Sequence, residues 1–203
     1  MSIGYATAYR AGIIPWERAS RVDRPTLEHL LDHEEAIRPD RTLRAIDLGC
    51  GRGANTKLLV DRGWDAMGVD NVRQAVDIAV RRNGLDDARF VIGDVRHLVH
   101  SGVGSGFDLV LDIGCFQSLN DAGRTLVAGG VTELAAPDAT VLIRTGGPRA
   151  WPVRPKQAVR HDIERAYRGW TVTAVSGVGS TDPSAPVRAS DSRSGEWFRL
   201  TRP

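Results

Sequence analysis

The 203 residues, 41% hydrophobic and 26% charged, have the make-up of one ordinary globular domain with a substantial core. The net charge is only +2, and the 27 basic residues (all arginine except Lys57 and Lys156) form neither a like-charge block nor a basic, aromatic-interleaved patch, so no nucleic acid partner is expected. Two distant cysteines argue against a disulfide framework, and no run nears the roughly 18 apolar residues of a membrane helix, so a reducing, cytoplasmic setting without membrane contact is expected.

In chain order, "PTLEHLLDHEEAI" predicts a helix with Pro25 at its first position and Leu27, Leu30, Leu31 and Ile37 along one face. A short buried strand, "LRAIDL", runs into the glycine loop "GCGRG", and "ANTKLLVDRG" follows as a helix ending at Gly63. "WDAMGVD" is the second strand, closing on Asp70. Asn71 is read as the cap of the next helix, whose inner stripe is Val72, Ala75, Val76, Ala79 and Val80 and which Asn83 and Gly84 end. "ARFVIGD", "FDLVLDIG" and "ATVLIRTGG" are strands three to five, with a helix from Asn120 to Ala136 before the fifth.

The C-terminal part predicts a helix from Pro155 to Tyr167 with Val159, Ile163, Ala166 and Tyr167 inward, then the strands "WTVTAVS" and "EWFRLTR". The stretch 178–194 between them is too polar and too rich in Ser, Pro and Asp to pack, and is expected to be flexible. Alternating strands and helices imply an α/β fold: a Rossmann-like, doubly wound, seven-stranded and mostly parallel sheet with an antiparallel C-terminal strand. The whole chain, 1–203, is expected to be a single domain.

The glycine loop fits two cofactor classes, a dinucleotide and a cationic nucleoside. Ligands of parallel sheets bind beyond the carboxyl ends of the strands, and here those ends carry Asp47, Asp70, Asp94 and Asp112. Asp47, two residues before Gly49, would stand as a like charge among the phosphates of a dinucleotide. A ligand bearing an amino group or a sulfonium would be attracted instead, with Asp70 placed for ribose hydroxyls and Asp94 for an adenine amine.

The ordered motifs "AIDLGCGRG", "GVD", "VIGDV" and "FDLVLDIG" resemble those of class I S-adenosylmethionine-dependent methyltransferases. The segments "YRAGIIPWE" and "DIGCFQSL" are similar to the small-molecule branch that includes thiol, thiopurine, halide and tellurite methyltransferases, although Gln117 stands where that branch often has histidine. The resemblance implies S-adenosylmethionine as cofactor and a small-molecule acceptor. It implies a cofactor site of Gly49, Cys50, Gly51 and Gly53 in the loop, Asp47 ordering the loop or facing the amino group, and Asp70 with Asn71 at the ribose. Asp94 with Val95 would border the adenine, and Asp112, Ile113 and Gly114 would line the methionine end.

Acceptor contacts are expected from Tyr5, Tyr9, Trp16, Phe116, Gln117, Arg144 and Trp151, with residues 1–24 forming a lid that excludes water. No catalytic base is assigned, because His29, His33, His97, His100 and His161 read as surface or packing residues, and the i, i+4 pair His29/His33 has no third metal ligand. Cys50 and Cys115 read as small apolar fillers. Two alternatives remain at this point: a protein that binds the cofactor without transferring a methyl, and a nicotinamide-dependent oxidoreductase.

Overall fold

The computed structural model describes Thr7, Tyr9 and residues 24–39, 41–146, 158–175 and 196–202. Its elements in chain order are α1 (Arg24–Ala36), β1 (Arg44–Leu48), α2 (Ala54–Asp61), β2 (Asp65–Asp70), α3 (Arg73–Asn83), β3 (Phe90–Ile92), β4 (Phe107–Ile113), α4 (Asp121–Leu134), β5 (Ala135–Thr145), α5 (Arg160–Ala166), β6 (Thr171–Val175) and β7 (Glu196–Thr201). The seven strands form one sheet in the order β3-β2-β1-β4-β5-β7-β6. Strands β1 to β5 run parallel, and β7 pairs antiparallel with both β5 and β6.

Both faces of the sheet are covered, which is why β1 and β4 read as apolar runs rather than alternating ones. Leu27, Leu30 and Leu31 of α1 and Leu59 of α2 pack with Ala45, Leu109, Leu111 and Leu142 on one face. Val127, Ala128 and Val131 of α4 and Ile163 of α5 pack with Ile46, Val110, Val141 and Ile143 on the other. The reversal of strand order lies at β1 and β4, so the turns after these strands and after β2 meet at one edge.

Several boundaries depart from the sequence reading for local reasons. The third strand is confined to Phe90–Ile92, because a 3₁₀ turn over Asp87–Arg89 uses the residues before it. The cap position of α3 is Val72 rather than Asn71; Asp70 Oδ1 accepts the Val72 amide at 2.8 Å and does the work assigned to the asparagine. Strand β5 begins at Ala135, directly after α4. Its register jumps between the pairs Phe107–Ala135 and Leu109–Thr140, leaving Pro137, which has no N–H to donate, and Asp138 exposed. Ile37 and Val159, expected inside, are exposed, while residues 155–157 and the stretch 178–194, expected to be flexible, lie outside the described residues.

One ionic network was invisible in the sequence. Glu34, fully buried on α1, accepts from Arg199 Nε of β7 at 2.6 Å, Thr140 Oγ1 of β5 at 2.7 Å and Arg38 Nη1 at 2.5 Å. Burial alone would raise its pKa, but Arg199, Thr140 and Arg38 together hold it below the ordinary carboxylate value. This cluster ties the first helix to the C-terminal half of the sheet, behind the edge where the turns meet.

Candidate cofactor and methyl-transfer site

The loop after β1 is pinned to β2: the amides of Gly49 and Cys50 both donate to Val69 O, at 2.8 and 3.1 Å. Gly49, Gly51 and Gly53 all have positive φ, at 67°, 54° and 75°. A Cβ on Gly53 would stand 2.6 Å from Phe90 Cε1, and one on Gly51 would stand 2.7 Å from the Tyr9 hydroxyl. Glycine is therefore required here both for backbone conformation and for the approach of neighbouring groups.

Asp47 is buried beneath the loop, where its Oδ2 accepts the Thr56 hydroxyl at 2.8 Å. Thr56 lies in the first turn of α2, so the carboxylate serves a helix end that a phosphate would otherwise occupy. The Asp47 carboxylate thus ties the end of β1 to the first turn of α2. Burial lifts its pKa to about 7, against the lowering effect of Thr56. Asp70 at the end of β2 accepts the Gly51 amide on Oδ2 at 2.9 Å and the Val72 amide on Oδ1, joining the first two turns. Burial raises its pKa as well.

The turn after β4 is built on Asp112, whose carboxylate accepts the amides of Cys115 at 2.9 Å and Phe116 at 3.0 Å. Asp112 was expected to line the methionine end. Its side chain is instead fully buried and orders the turn, with a pKa lifted by burial to about 7. Ile113 and Gly114 are half-buried, and the Gly114 amide donates to Arg144 O at 3.1 Å. Phe116, expected at the acceptor, is a core residue instead; Arg124 of α4 packs over its ring at 5.2 Å and donates to its carbonyl. Gln117 clasps Gly146 with both halves of its amide: Oε1 accepts the Gly146 N–H at 2.7 Å and Nε2 donates to Gly146 O at 3.4 Å. That clasp joins the turns after β4 and β5 and uses both the donor and the acceptor of the Gln117 amide. Arg144 is buried on β5 and donates to the same Gly146 carbonyl at 3.1 Å.

At the β3 edge, Asp94 caps the 3₁₀ turn Val95–His100 and pairs with Arg96, Nε donating to Oδ1 at 3.0 Å. Arg96 outweighs burial and holds the carboxyl at about 2. Val95 is buried in the core, and Asn71 is half-buried at the turn after β2. Tyr9 is buried, with its hydroxyl over Gly51 and the Arg52 guanidinium 5.8 Å from its ring. Tyr5, Trp16 and Trp151 lie outside the described residues. All five histidines are exposed, and no cluster of three metal-ligating side chains occurs among the described residues. Both thiols are pushed well above their ordinary range, by burial and then by neighbouring carboxylates, which fits the filler role given to Cys50 and Cys115.

Thr56 and Arg124 were not singled out in the sequence. Thr56 could have been found from its place in the first turn after the glycine loop. Arg124 reaches the turn after β4 only through tertiary packing and left no local signal. Among the described residues, none of the buried carboxylates Asp47, Asp70 and Asp112 meets a guanidinium or ammonium group; backbone amides and the Thr56 hydroxyl answer them instead. Such a donor set fits a ligand carrying positive charge and opposes a pyrophosphate.

Comparison with known proteins agrees with this geometry. Residues 45–138 match a family model described as a methyltransferase domain. The chain is 26% identical over 110 residues to the 2-heptyl-1-hydroxyquinolin-4(1H)-one methyltransferase of Mycobacteroides abscessus, covering 53% of this chain and 48% of that protein. It is 28% identical over 123 residues to the ubiquinone biosynthesis O-methyltransferase of Azorhizobium caulinodans, covering 59% and 46% respectively. The chain thus spans about half the length of these two relatives. Among solved structures, a TehB-like SAM-dependent methyltransferase from Corynebacterium glutamicum superposes with a TM-score of 0.60 at 18% identity, over 92% of this chain and 98% of that one. The magnesium protoporphyrin IX methyltransferase from Synechocystis with bound SAM gives 0.64 at 17%, over 93% and 84%. The fold of this chain is the Rossmann-like fold shared with these methyltransferases, and its residues 45–138 match the methyltransferase domain.

Proposed function

We propose that this chain transfers a methyl group from S-adenosylmethionine to a small-molecule acceptor. The observation that carries the reading is the junction at Gly51: a glycine loop of left-handed residues whose central amide is held by Asp70, on a sheet of the order 3-2-1-4-5-7-6. The match of residues 45–138 to a methyltransferase domain and the methyltransferase relatives support it. The alternatives without transfer and with a nicotinamide have no such support, and the Asp47 carboxylate, which meets the first turn of α2, opposes the second electrostatically.

When bound, S-adenosylmethionine supplies an activated methyl on a sulfonium leaving group. Gly49, Cys50, Gly51 and Gly53 would allow the backbone to approach it, Asp70 and Asn71 would take the ribose, and Asp94 and Val95 would border the adenine. Ile113 and Gly114 would face the methionine end, while Asp47 and Asp112 hold the two turns and contribute negative charge from beneath. Tyr9, lying on Gly51, would cover the loop as part of the segment 1–24 and exclude water, the acceptor being held at in-line distance. Acceptor contacts are assigned to Tyr5, Tyr9, Trp16, Arg144 and Trp151, within a single domain over 1–203. All five histidines are exposed, and His97 stands next to Asp94 at the adenine end assigned above and not at the methyl, which favours acceptors that ionise by themselves, such as thiols and acidic hydroxyls, and is in keeping with the thiol and tellurite branch.

The test is calorimetric titration with S-adenosylmethionine, S-adenosylhomocysteine and NAD, followed by turnover of labelled cofactor against thiols, halides, phenols and N-hydroxy heteroaromatics. Binding of the first two ligands, none of NAD, and label in at least one acceptor are expected. Binding without transfer to any acceptor would leave a cofactor-binding protein in place of an enzyme.

A further inference from the structure

Asn83 ends α3, as its place before Gly84 suggests, but its half-buried side chain also reaches the glycine loop. Its Nδ2 donates to Arg52 O at 2.9 Å and to Ala79 O, one turn back on the same helix, at 2.7 Å. An amide nitrogen carries two N–H groups, and these two carbonyls take both. The bond to Ala79 holds the side chain in place, and the bond to Arg52 crosses 31 positions of sequence to the loop after β1.

The Arg52–Gly53 peptide is thereby held at both ends. Asn83 donates to its carbonyl, and its N–H, from Gly53, donates to Cys50 O at 2.9 Å and closes the turn Cys50–Gly53. Gly51 and Gly53 flank Arg52, both at positive φ, and glycine sets little barrier of its own against rotation of the peptides beside it. Packing agrees with the bond: Cys50 is buried with Val76 and Ala79 of α3 and Phe90 of β3, and a Cβ on Gly53 would stand 2.8 Å from Asn83 Nδ2. Helix α3 therefore meets the loop through an apolar contact at Cys50 and a directed one at Arg52. The first resists separation; only the second fixes which way a carbonyl points.

We propose that Asn83 is a positioning residue for the cofactor loop: by holding the Arg52 carbonyl it keeps the turn Cys50–Gly53 in the form against which S-adenosylmethionine lies. The inference rests on the cofactor reading given above. Asp70 fixes the same turn through the Gly51 amide, so the loop is gripped once by an acceptor at the end of β2 and once by a donor at the end of α3. Asn83→Asp keeps nearly the same shape, but an ionised carboxylate cannot donate and sets negative charge against two carbonyl oxygens. Shape and hydrogen-bond donation are thus separable at this position.

The test uses the full chain at neutral pH and measures, by calorimetry, the affinities of S-adenosylmethionine and S-adenosylhomocysteine for the wild type, Asn83→Asp, Asn83→Ala and Gly84→Ala, with the melting temperature of each. Gly84 has positive φ, and a Cβ there would meet nothing within 4 Å, so Gly84→Ala strains the same helix end without touching the loop. Asn83→Ala is expected to weaken both ligands equally, by about threefold to tenfold, since the loop is assigned no contact with the methyl; Asn83→Asp should weaken them at least about tenfold. Gly84→Ala should lower the melting temperature and leave both affinities unchanged. An Asn83→Asp affinity equal to that of the wild type, or a loss in Gly84→Ala as large as in Asn83→Asp, overturns the inference while leaving the cofactor assignment standing. Failure of both ligands to bind the wild type overturns both. Should Asn83→Asp not fold, Asn83→Ala decides, and unchanged affinities there overturn the proposal.

Discussion

The amide of Gly51 donates to Asp70 Oδ2 at 2.9 Å, and this bond joins the turn after β1 to the turn after β2. The other oxygen of the same carboxylate accepts the Val72 amide, so one side chain sets the relative position of two loops from adjacent parallel strands. Asp70→Ala leaves both amides without their acceptor. It is expected to weaken S-adenosylmethionine binding at least about tenfold and to destabilise the fold by about 1–3 kcal/mol, measured by calorimetry and urea unfolding.

Gly53 and Gly63 separate backbone conformation from crowding. Both have positive φ, but a Cβ on Gly53 would meet Phe90 and Asn83, whereas one on Gly63 would meet nothing within 4 Å. Gly63→Ala should cost about 1–2 kcal/mol of backbone strain and leave cofactor affinity unchanged. Gly53→Ala should cost more and should also lower affinity; equal losses of stability in the two variants would contradict the crowding argument.

Tyr9 carries the expectation for the N-terminal segment. Tyr9→Ala removes a ring stacked by Arg52 and a hydroxyl over Gly51. Its KM for S-adenosylmethionine should rise about tenfold, with a melting temperature within a few degrees of the wild type. An unchanged KM removes the covering role.

The pH dependence of stability divides the buried acids into two groups. Asp47 and Asp112, with folded pKa values raised to about 7, hold protons in the folded state that the unfolded chain has already released, so they reduce stability as pH rises from about 4 to 7. Asp112→Asn, which retains an acceptor oxygen for the two amides, should therefore be relatively more stable than the wild type at pH 8 than at pH 4, by about 1–3 kcal/mol, in urea unfolding at both pH values.

Glu34 has the opposite sign. Its pKa is lowered in the fold, so its contribution is fully present above the unfolded value of 4.5 and is lost as pH falls through the folded one. Glu34→Ala strands Arg38 and Arg199 and should destabilise by about 3–5 kcal/mol at pH 7, with a smaller deficit at pH 3. A deficit that is equal at both pH values would show that the network contributes nothing through charge.

The sequence by itself determined the strand and helix order, the glycine loop and the acids that close the strands, because strand burial, helix periodicity and left-handed glycines are properties of short segments. It could not say where those acids point. Asp47, read as ordering the loop or facing the amino group, turns to Thr56, and Asp112, read as lining the methionine end, turns to the Cys115 and Phe116 amides, since a buried carboxylate takes the nearest free donors, and which donors are near depends on how the turns pack. The Gln117–Gly146 clasp and the Glu34–Arg199 pair join residues 29 and 165 positions apart respectively. Tertiary structure alone decided them, because nothing in a local window records which distant side chain will fill a given space.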